Sequence, residues 1–293
     1  MTSSAIEVRE LLIYPIKSCA GISVNEAQTT KYGLSLPSNS LLSDRRWMLV
    51  KDGRQRNQRH LSRMALIRPS FTSLGLQVDA PGMTPLVIPY SPLPDDIIDI
   101  EELSVKGRRY GLKVSDWFST FLETSEIDLV YFDEQFEPQH TKNIEPEYPN
   151  EALDSDVVAY QDMSPFHLGS LESIDDLNKK LEDPIKIYRF RPNIIVSGVD
   201  KPYGEDYWRE IQIGDQVKLR WFRSALRCLL PTVNQETGVR DPKQEPWKTL
   251  QTYRRKPELY GIKAQFGTYL SSIEHGIIRV GDRVHILRED KDF

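Results

Sequence analysis

Ile211-Gln212-Ile213-Gly214-Asp215-Gln216-Val217-Lys218-Leu219 is echoed later in the chain by Ile278-Arg279-Val280-Gly281-Asp282-Arg283-Val284-His285-Ile286. Each stretch alternates apolar and polar residues with period two around a Gly-Asp pair, the pattern of two half-buried strands joined by a tight turn. Before them, Ser170 stands as an N-cap to Leu171, Ile174, Leu177 and Leu181 at helical spacing, and Ile194-Ile195-Val196 reads as a buried strand. Two hairpins with a helix before them predict a small β-barrel with peripheral helices rather than a doubly wound parallel sheet.

Working outward, the first half also reads as β. Residues 8–14 form a strand ending at Pro15, residues 22–30 a second extended run, and residues 46–50 a strand before a turn at Asp52-Gly53. Residues 35–43 read as a polar, turn-rich loop. Prolines at 69, 81, 85, 89, 92 and 94 require short strands, with the proline-bearing ones at edges or bulges. Ser115 reads as the cap of a helix that buries Trp117, Phe118, Phe121 and Leu122. Residues 136–154 hold three prolines, several acids and no sustained apolar period. The expected division is a β-rich domain over 6–135, a linker or crossover over 136–154 and a barrel domain over 155–289.

Composition bounds the function. The chain has 293 residues with 38 basic and 43 acidic side chains, a net charge of −5, so no global positive field recruits nucleic acid. A local basic site is compatible with that balance. The longest uncharged apolar window, residues 80–94, carries five prolines and is no membrane helix. The N-terminal stretch lacks the basic start and apolar block of a signal peptide, and its acids Glu7 and Glu10 argue against a transit peptide, so a cytoplasmic protein is expected. Two cysteines, Cys19 and Cys228, exclude a disulfide framework, a CxxC pair and a multi-thiolate metal site.

No GxSxG, HExxH, P-loop or GxGxxG motif is present, and the five histidines show no ligand spacing. His285 reads as a strand-face residue. Arg227 beside Cys228 favours a thiolate, but free cysteine is among the most buried residue types, and on the residues alone a buried core thiol is the favoured reading. Cys19, in Lys17-Ser18-Cys19-Ala20-Gly21, carries the same ambiguity within a plausible anion-binding loop. Arginines concentrate in Asp44-Arg45-Arg46-Trp47, Gln58-Arg59 and Tyr188-Arg189-Phe190-Arg191-Pro192-Asn193, each next to a strand. As a set they could present planar forks to one phosphate.

Seven segments in order then resemble a known family: Ile13-Tyr14-Pro15-Ile16-Lys17-Ser18-Cys19, Asp44-Arg45-Arg46-Trp47, Ser164-Pro165-Phe166, Arg189-Phe190-Arg191-Pro192-Asn193, Arg227-Cys228, Thr232-Val233-Asn234-Gln235-Glu236-Thr237-Gly238 and Phe266-Gly267-Thr268-Tyr269. The chain resembles, over residues 8–287, the two-part MOSC proteins of the amidoxime-reducing component group. The resemblance implies an α+β, mainly β protein: a MOSC N-terminal β-rich domain followed by a MOSC β-barrel, with a molybdenum cofactor (Mo-molybdopterin) held between them. It implies Cys228 as the thiolate ligand of molybdenum, a soft donor suited to that metal. Lys17, Ser18, Arg45, Ser164, Arg191, Asn193, Arg227 and Tyr269 fall on positions that surround the cofactor in that group.

The implied reaction is two-electron reduction of an N-hydroxylated nitrogen in an amidoxime, N-hydroxyguanidine or hydroxylamine, giving amidine, guanidine or amine plus water. With no iron–sulfur thiol cluster or flavin fingerprint, an external donor is implied; in eukaryotic relatives it is cytochrome b5 with its NADH-dependent reductase. The alternative within the resemblance is a molybdenum cofactor carrier or sulfuration-related protein without turnover, and a third reading is a silent MOSC-fold binding module. Three departures from the group stand out: Leu226 where relatives usually carry serine, a longer 35–43 segment, and neither an N-terminal anchor nor a C-terminal ferredoxin extension.

Overall fold

The computed structural model describes residues 5–291. Its largest sheet has eight strands, in spatial order Ile22–Val24, Glu7–Ile13, Ile194–Ser197, Phe166–Ser170, Ala264–Glu274, Val217–Arg227, Trp208–Ile213 and Val284–Glu289. Only the pairing of Phe166–Ser170 with Ile194–Ser197 is parallel; the others are antiparallel. The sheet curls back on its beginning. Val284 N donates to Ile6 O at 2.8 Å and Val8 N to Asp282 O at 2.9 Å, so the last strand meets the first and the barrel nearly closes.

Alternation places the core. Leu11 and Ile13 join Leu168, Ile194, Val196, Ile211, Leu219 and Leu270 in the interior cluster, while Leu12 and Tyr14 pack on the other face. A bulge between Val8 and Glu10 resets the period and brings Val8 to the interior as well. On the outer face lies α2, Leu171–Asn178, which begins at Ser170 as the sequence predicts: its hydroxyl accepts a hydrogen bond from Ser173 N. Ile174 and Leu177 bury, and the helix stops before Leu181.

The second Gly-Asp stretch departs from the hairpin expectation. The first is a hairpin, with Ile213 opposite Val217 and Gly214 at φ 58° in its loop. In the second, Ile277–Arg279 pairs with Glu26–Thr30 in a four-stranded sheet, and Val284–Glu289 pairs with Trp208–Ile213. The cause is the first strand: Gly281 N donates to Val8 O, and Asp282 O accepts from Val8 N. The turn itself closes, with Asp282 N 3.1 Å from Arg279 O, but Val8 takes Gly281 N and Asp282 O, and the flanking strands pair elsewhere rather than with each other.

A five-stranded sheet (Ile97–Ile100, Val105–Arg109, Asp128–Tyr131, Trp47–Lys51, Arg54–Gln55) and a three-stranded one (Leu86–Pro89, Gly75–Asp79, Arg68–Phe71) build the rest of the first half. Pro69 and Pro89 lie on the two outer strands of the smaller sheet, as the proline spacing requires. The helix α1 spans Leu112–Leu122 and buries Trp117, Phe118, Phe121 and Leu122. Its N-cap is Gly111, not Ser115. Ser115 sits one turn inside, buried, 2.8 Å from Ile127 O and 2.9 Å from Asp128 Oδ1, where a tertiary contact consumes the hydroxyl. Residues 35–43 are likewise no loop: Gly33–Leu36 and Asn39–Ser43 pair, and the turn is confined to Pro37-Ser38. Within 136–154, Gln139–His140 pairs with Val157–Val158. Among the described residues no helix is long and apolar enough to cross a membrane.

Under α2 lies a titratable group. Ser170 Oγ donates to Glu205 at 2.9 Å and Ser173 Oγ at 2.7 Å, and burial, reinforced by the charge of Asp206, pushes Glu205 from its ordinary value of 4.5 up to about 7. The folded chain therefore holds a proton that the unfolded chain releases, and stability falls as pH rises from 4.5 to about 7 before levelling. Urea titrations across that window are expected to show this slope in the wild type and a flatter one in Glu205→Gln. Ser170→Ala removes both the cap and one partner of Glu205, with an expected cost of about 1–2 kcal/mol.

Candidate functional site

A cavity of about 290 Å³ opens between the barrel and the first-half sheets. Its walls come from the loop after Pro15, the turn before Trp47, the loop ahead of Phe166, the single 3-10 turn Ile187–Phe190, and the ends of the Val217–Arg227 and Ala264–Glu274 strands. All nine residues singled out from the sequence, Lys17, Ser18, Arg45, Ser164, Arg191, Asn193, Arg227, Cys228 and Tyr269, line it.

The cavity is strongly cationic in an acidic protein. Lys17, Arg45, Arg59, Arg189, Arg191, Arg223, Arg227 and Lys263 face only two acids, Glu145 and Asp162. Four of the lining residues hold left-handed backbone, Ser18 at φ 66°, Arg45 at 49°, Glu145 at 48° and Arg191 at 57°, a conformation that side-chain-bearing residues keep only when their surroundings impose it.

The imposing structure centres on Asp44, fully buried. Its Oδ1 accepts from Tyr14 N and from Asn193 Nδ2, both at 2.9 Å, and its Oδ2 accepts from Arg45 Nη1 at 2.5 Å. Asn193 Nδ2 also donates to Leu12 O at 3.1 Å, while its Oδ1 accepts from His167 N at 3.3 Å. Asn193 is thus a brace joining three segments. The Ser164 hydroxyl is also committed inside the protein, 2.6 Å from Phe166 O and 2.8 Å from Leu270 O. Arg45 and Arg191 both lie over the ring of the same buried phenol, Tyr14, with guanidinium carbons 4.8 and 4.3 Å from its ring centre.

Other groups keep donors in reserve. Arg191 Nη1 donates to Cys19 O at 2.6 Å, but its Nη2 is buried without a partner. Burial, with Arg45 adding to it, pulls Arg191 down to about 10, still charged at neutral pH. Lys17 Nζ donates to Tyr160 O at 2.7 Å and pairs with Asp162 at 2.6 Å. Burial within the protein mass raises Asp162, yet Lys17 and then Arg45 outweigh it and hold the carboxylate at about 2, while its oxygens stand open to the cavity.

The two cysteines separate. Cys19 is fully buried in the first-half core, and burial pushes its thiol up to about 12 against the opposing charge of Arg191. Cys228 is half-buried on the cavity wall, its Sγ 3.5 Å from Leu230 N. Beside it, Arg227 donates from Nε to Phe266 O at 2.9 Å and from Nη2 to His167 Nε2. Burial first, then Arg227, keeps His167 well below its ordinary range, so the ring is neutral with Nε2 as acceptor. Gly267, at φ 76°, makes this possible: a Cβ there would lie 2.5 Å from His167 Nε2. Among the described residues no cluster of three or more His, Cys, Asp or Glu could hold a metal, so a metal here would have one protein thiolate and ligands of other origin.

Sequence reasoning did not single out Asp162, His167, Glu145, Arg223 or Lys263. Asp162 lies two residues before the Ser164-Pro165-Phe166 segment and His167 directly after it, so both were within reach of it; Glu145 and Arg223 carry no local pattern.

Residues 5–125 match the MOSC N-terminal beta barrel domain and residues 155–285 the MOSC domain, which defines a two-part MOSC protein. The chain is 40% identical over 287 residues to mitochondrial amidoxime reducing component 2 of Rattus norvegicus, covering 95% of this chain and 82% of that one. Mitochondrial amidoxime-reducing component 1 of Mus musculus is 37% identical, and that of Homo sapiens 35%, each over 288 residues, 96% of this chain and 82% of theirs. The chain belongs to the MOSC family of amidoxime-reducing components.

Asp44→Ala would leave Arg45 buried beside Arg191 without its counter-charge and unpin Tyr14 and Asn193. The expected loss is about 3–5 kcal/mol in denaturant unfolding, whereas removing the exposed pair Lys186–Glu236 by Glu236→Gln should leave the unfolding midpoint essentially unmoved.

Proposed function

We propose that this chain is a molybdenum-cofactor-dependent reductase that converts N-hydroxylated compounds, amidoximes, N-hydroxyguanidines or hydroxylamines, to amidines, guanidines or amines and water, with electrons from an external donor. The observation that carries the reading is a half-buried cysteine on the wall of a cavity with eight basic and two acidic side chains, in a member of a family whose curated relatives are named for amidoxime reduction.

The residues present fit such a cofactor. Its phosphate calls for buried cationic donors, and Arg191 offers an unpartnered Nη2 beside Lys17 and Arg45. Its metal calls for a soft ligand, and Cys228 supplies one. When bound, the cofactor supplies the two-electron redox chemistry.

The remaining work falls to the protein. Cys228 would bind the metal, Lys17, Ser18, Arg45 and Arg191 the anionic end, and Asn193 and Ser164 would shape the walls from behind, because their polar atoms are already committed. Arg227, fixed by Phe266 O and the neutral His167, keeps a positive charge next to the thiol. Burial raises Tyr269 above its ordinary value, so its phenol stays protonated and offers an O–H to a ligand in the cavity. Reduction consumes two electrons and two protons for each N–O bond broken, releasing the oxygen as water. A cytochrome b5 reduced by its NADH-dependent reductase is the proposed donor.

Expressed in a host that makes the cofactor, the wild type is expected to carry close to one molybdenum per chain by elemental mass spectrometry and to reduce benzamidoxime with a reduced cytochrome b5. Cys228→Ala should lose reduction, and Arg191→Ala should retain markedly less molybdenum after gel filtration. A metal-free wild type overturns the reading in favour of a silent MOSC module. Metal without reduction, whatever the donor, points to a cofactor carrier.

A further inference from the structure

Arg223 is among the largest fully buried side chains in the molecule, only 1% exposed, and it lines the cavity. It lies on the strand Val217–Arg227 directly opposite Tyr269. Its Nη2 donates to Glu145 Oε2 at 2.5 Å, whereas Nε and Nη1 have no partner. A buried guanidinium with two unmade hydrogen bonds is costly, and such donors in a folded protein call for an acceptor that completes them.

The acceptor now in contact comes from elsewhere. Glu145 belongs to the segment between the two matched domains, holds a left-handed backbone at φ 48°, and its side chain is 39% exposed. A single carboxylate oxygen on one nitrogen of Arg223 leaves unmet the two-pronged geometry that a carboxylate and a guanidinium prefer. Glu145 thus has the charge and chemistry of a ligand carboxylate, on a strained and accessible support.

The committed groups elsewhere sharpen the assignment. Arg45 answers Asp44, Lys17 answers Asp162, and Arg227 is spent on Phe266 O and His167. Arg223 is separate from them, five residues before Cys228 along a strand that is irregular between Ser224 and Leu226 and ends at Arg227, which puts the two at most about 16 Å apart along the chain. That is the reach of a small molecule with a reactive group at one end and a charge at the other, once an arginine side chain spans part of it.

From this geometry we infer that Arg223 is a carboxylate-recognition site for the substrate and that Glu145 is an internal occupant which the substrate's carboxylate displaces. The inference rests on the reductase reading and narrows it: preferred substrates are N-hydroxylated compounds that also carry a carboxylate. Non-covalent recognition alone is involved, and Tyr269, paired across the sheet from Arg223, bounds the same part of the wall.

Benzamidoxime and 4-carboxybenzamidoxime test this, titrated by calorimetry into the protein as purified with its cofactor and without electron donor. The wild type is expected to bind the carboxylate about tenfold more tightly. Glu145→Gln, on an accessible segment, should widen that ratio by removing the competitor, and Arg223→Gln should bring it to about one. Equal affinities in both wild type and Glu145→Gln, or a preference that survives Arg223→Gln, overturn the inference. If Arg223→Gln fails to fold, the Glu145→Gln arm decides alone. With reduced donor added, the preference should appear in KM rather than kcat. A binding preference with no reduction of either compound would sink the reductase reading while leaving the Arg223 site standing.

Discussion

One buried carboxylate organises the molecule. Asp44 binds the backbone at Tyr14, the amide of Asn193 and the guanidinium of Arg45, and its own carbonyl accepts from Gln161 Nε2 at 3.0 Å. Four segments distant in sequence converge on one residue with no exposed surface. A buried charge is tolerated only when its hydrogen-bonding capacity is filled, and filling it requires the first strand, the turn before Trp47, the loop before Phe166 and the strand from Ile194 to be in place together. The cavity exists because those segments stop there. Of its left-handed residues, Arg45 and Arg191 are held at the same convergence.

The barrel was legible because burial on one face imposes period two on each strand, and the proline spacing was legible because a ladder cannot lose an N–H except at an edge. The Ser170 cap was legible for the same local reason. What failed was local pattern with a distant owner. Gly281-Asp282 has the composition of a hairpin turn, yet Val8, some 270 positions earlier, takes its backbone groups. Ser115 has the composition of a cap, yet Ile127 and Asp128 take its hydroxyl. In both cases a tertiary partner outbid a neighbour, and nothing within ten residues could reveal it.

The site divides along the same line. Lys17, Ser18, Arg45, Arg191, Arg227 and Cys228 stand in recognisable segments and meet in one cavity. Their resemblance to a family carried more than their chemistry did, since any one arginine beside a strand is ordinary. Asp162 and His167 flank one of those segments, while Glu145 and Arg223 had no such frame. His167 is instructive: among five histidines without ligand spacing it is the one that matters to the cavity, and it does so as a neutral acceptor for Arg227, a role that needs no second histidine. The space for it is made by Gly267, a hundred residues away.

Gathering eight cations around one cavity in a chain of net charge −5 is unfavourable for folding, and the structure pays unevenly. Arg45 and Lys17 are neutralised by internal carboxylates, and Arg227 is solvated by a carbonyl and an imidazole. Arg189, Arg191 and Arg223 are left with unfilled donors. A fold that satisfies several of its cavity cations and leaves three incomplete concentrates its unmet electrostatics at those three points, Arg191 and Arg223 being the most deeply buried of them. Any anion that completes them binds the folded chain and not the unfolded one, and so returns stability by mass action. Arg191, over the Tyr14 ring and bonded through Nη1 to Cys19 O, is held in place with Nη2 still unpartnered. Arg223, covered by a glutamate on an accessible turn, has a partner that can leave. The first arrangement suits a ligand bound once and kept, and the second suits one that is exchanged at every turnover.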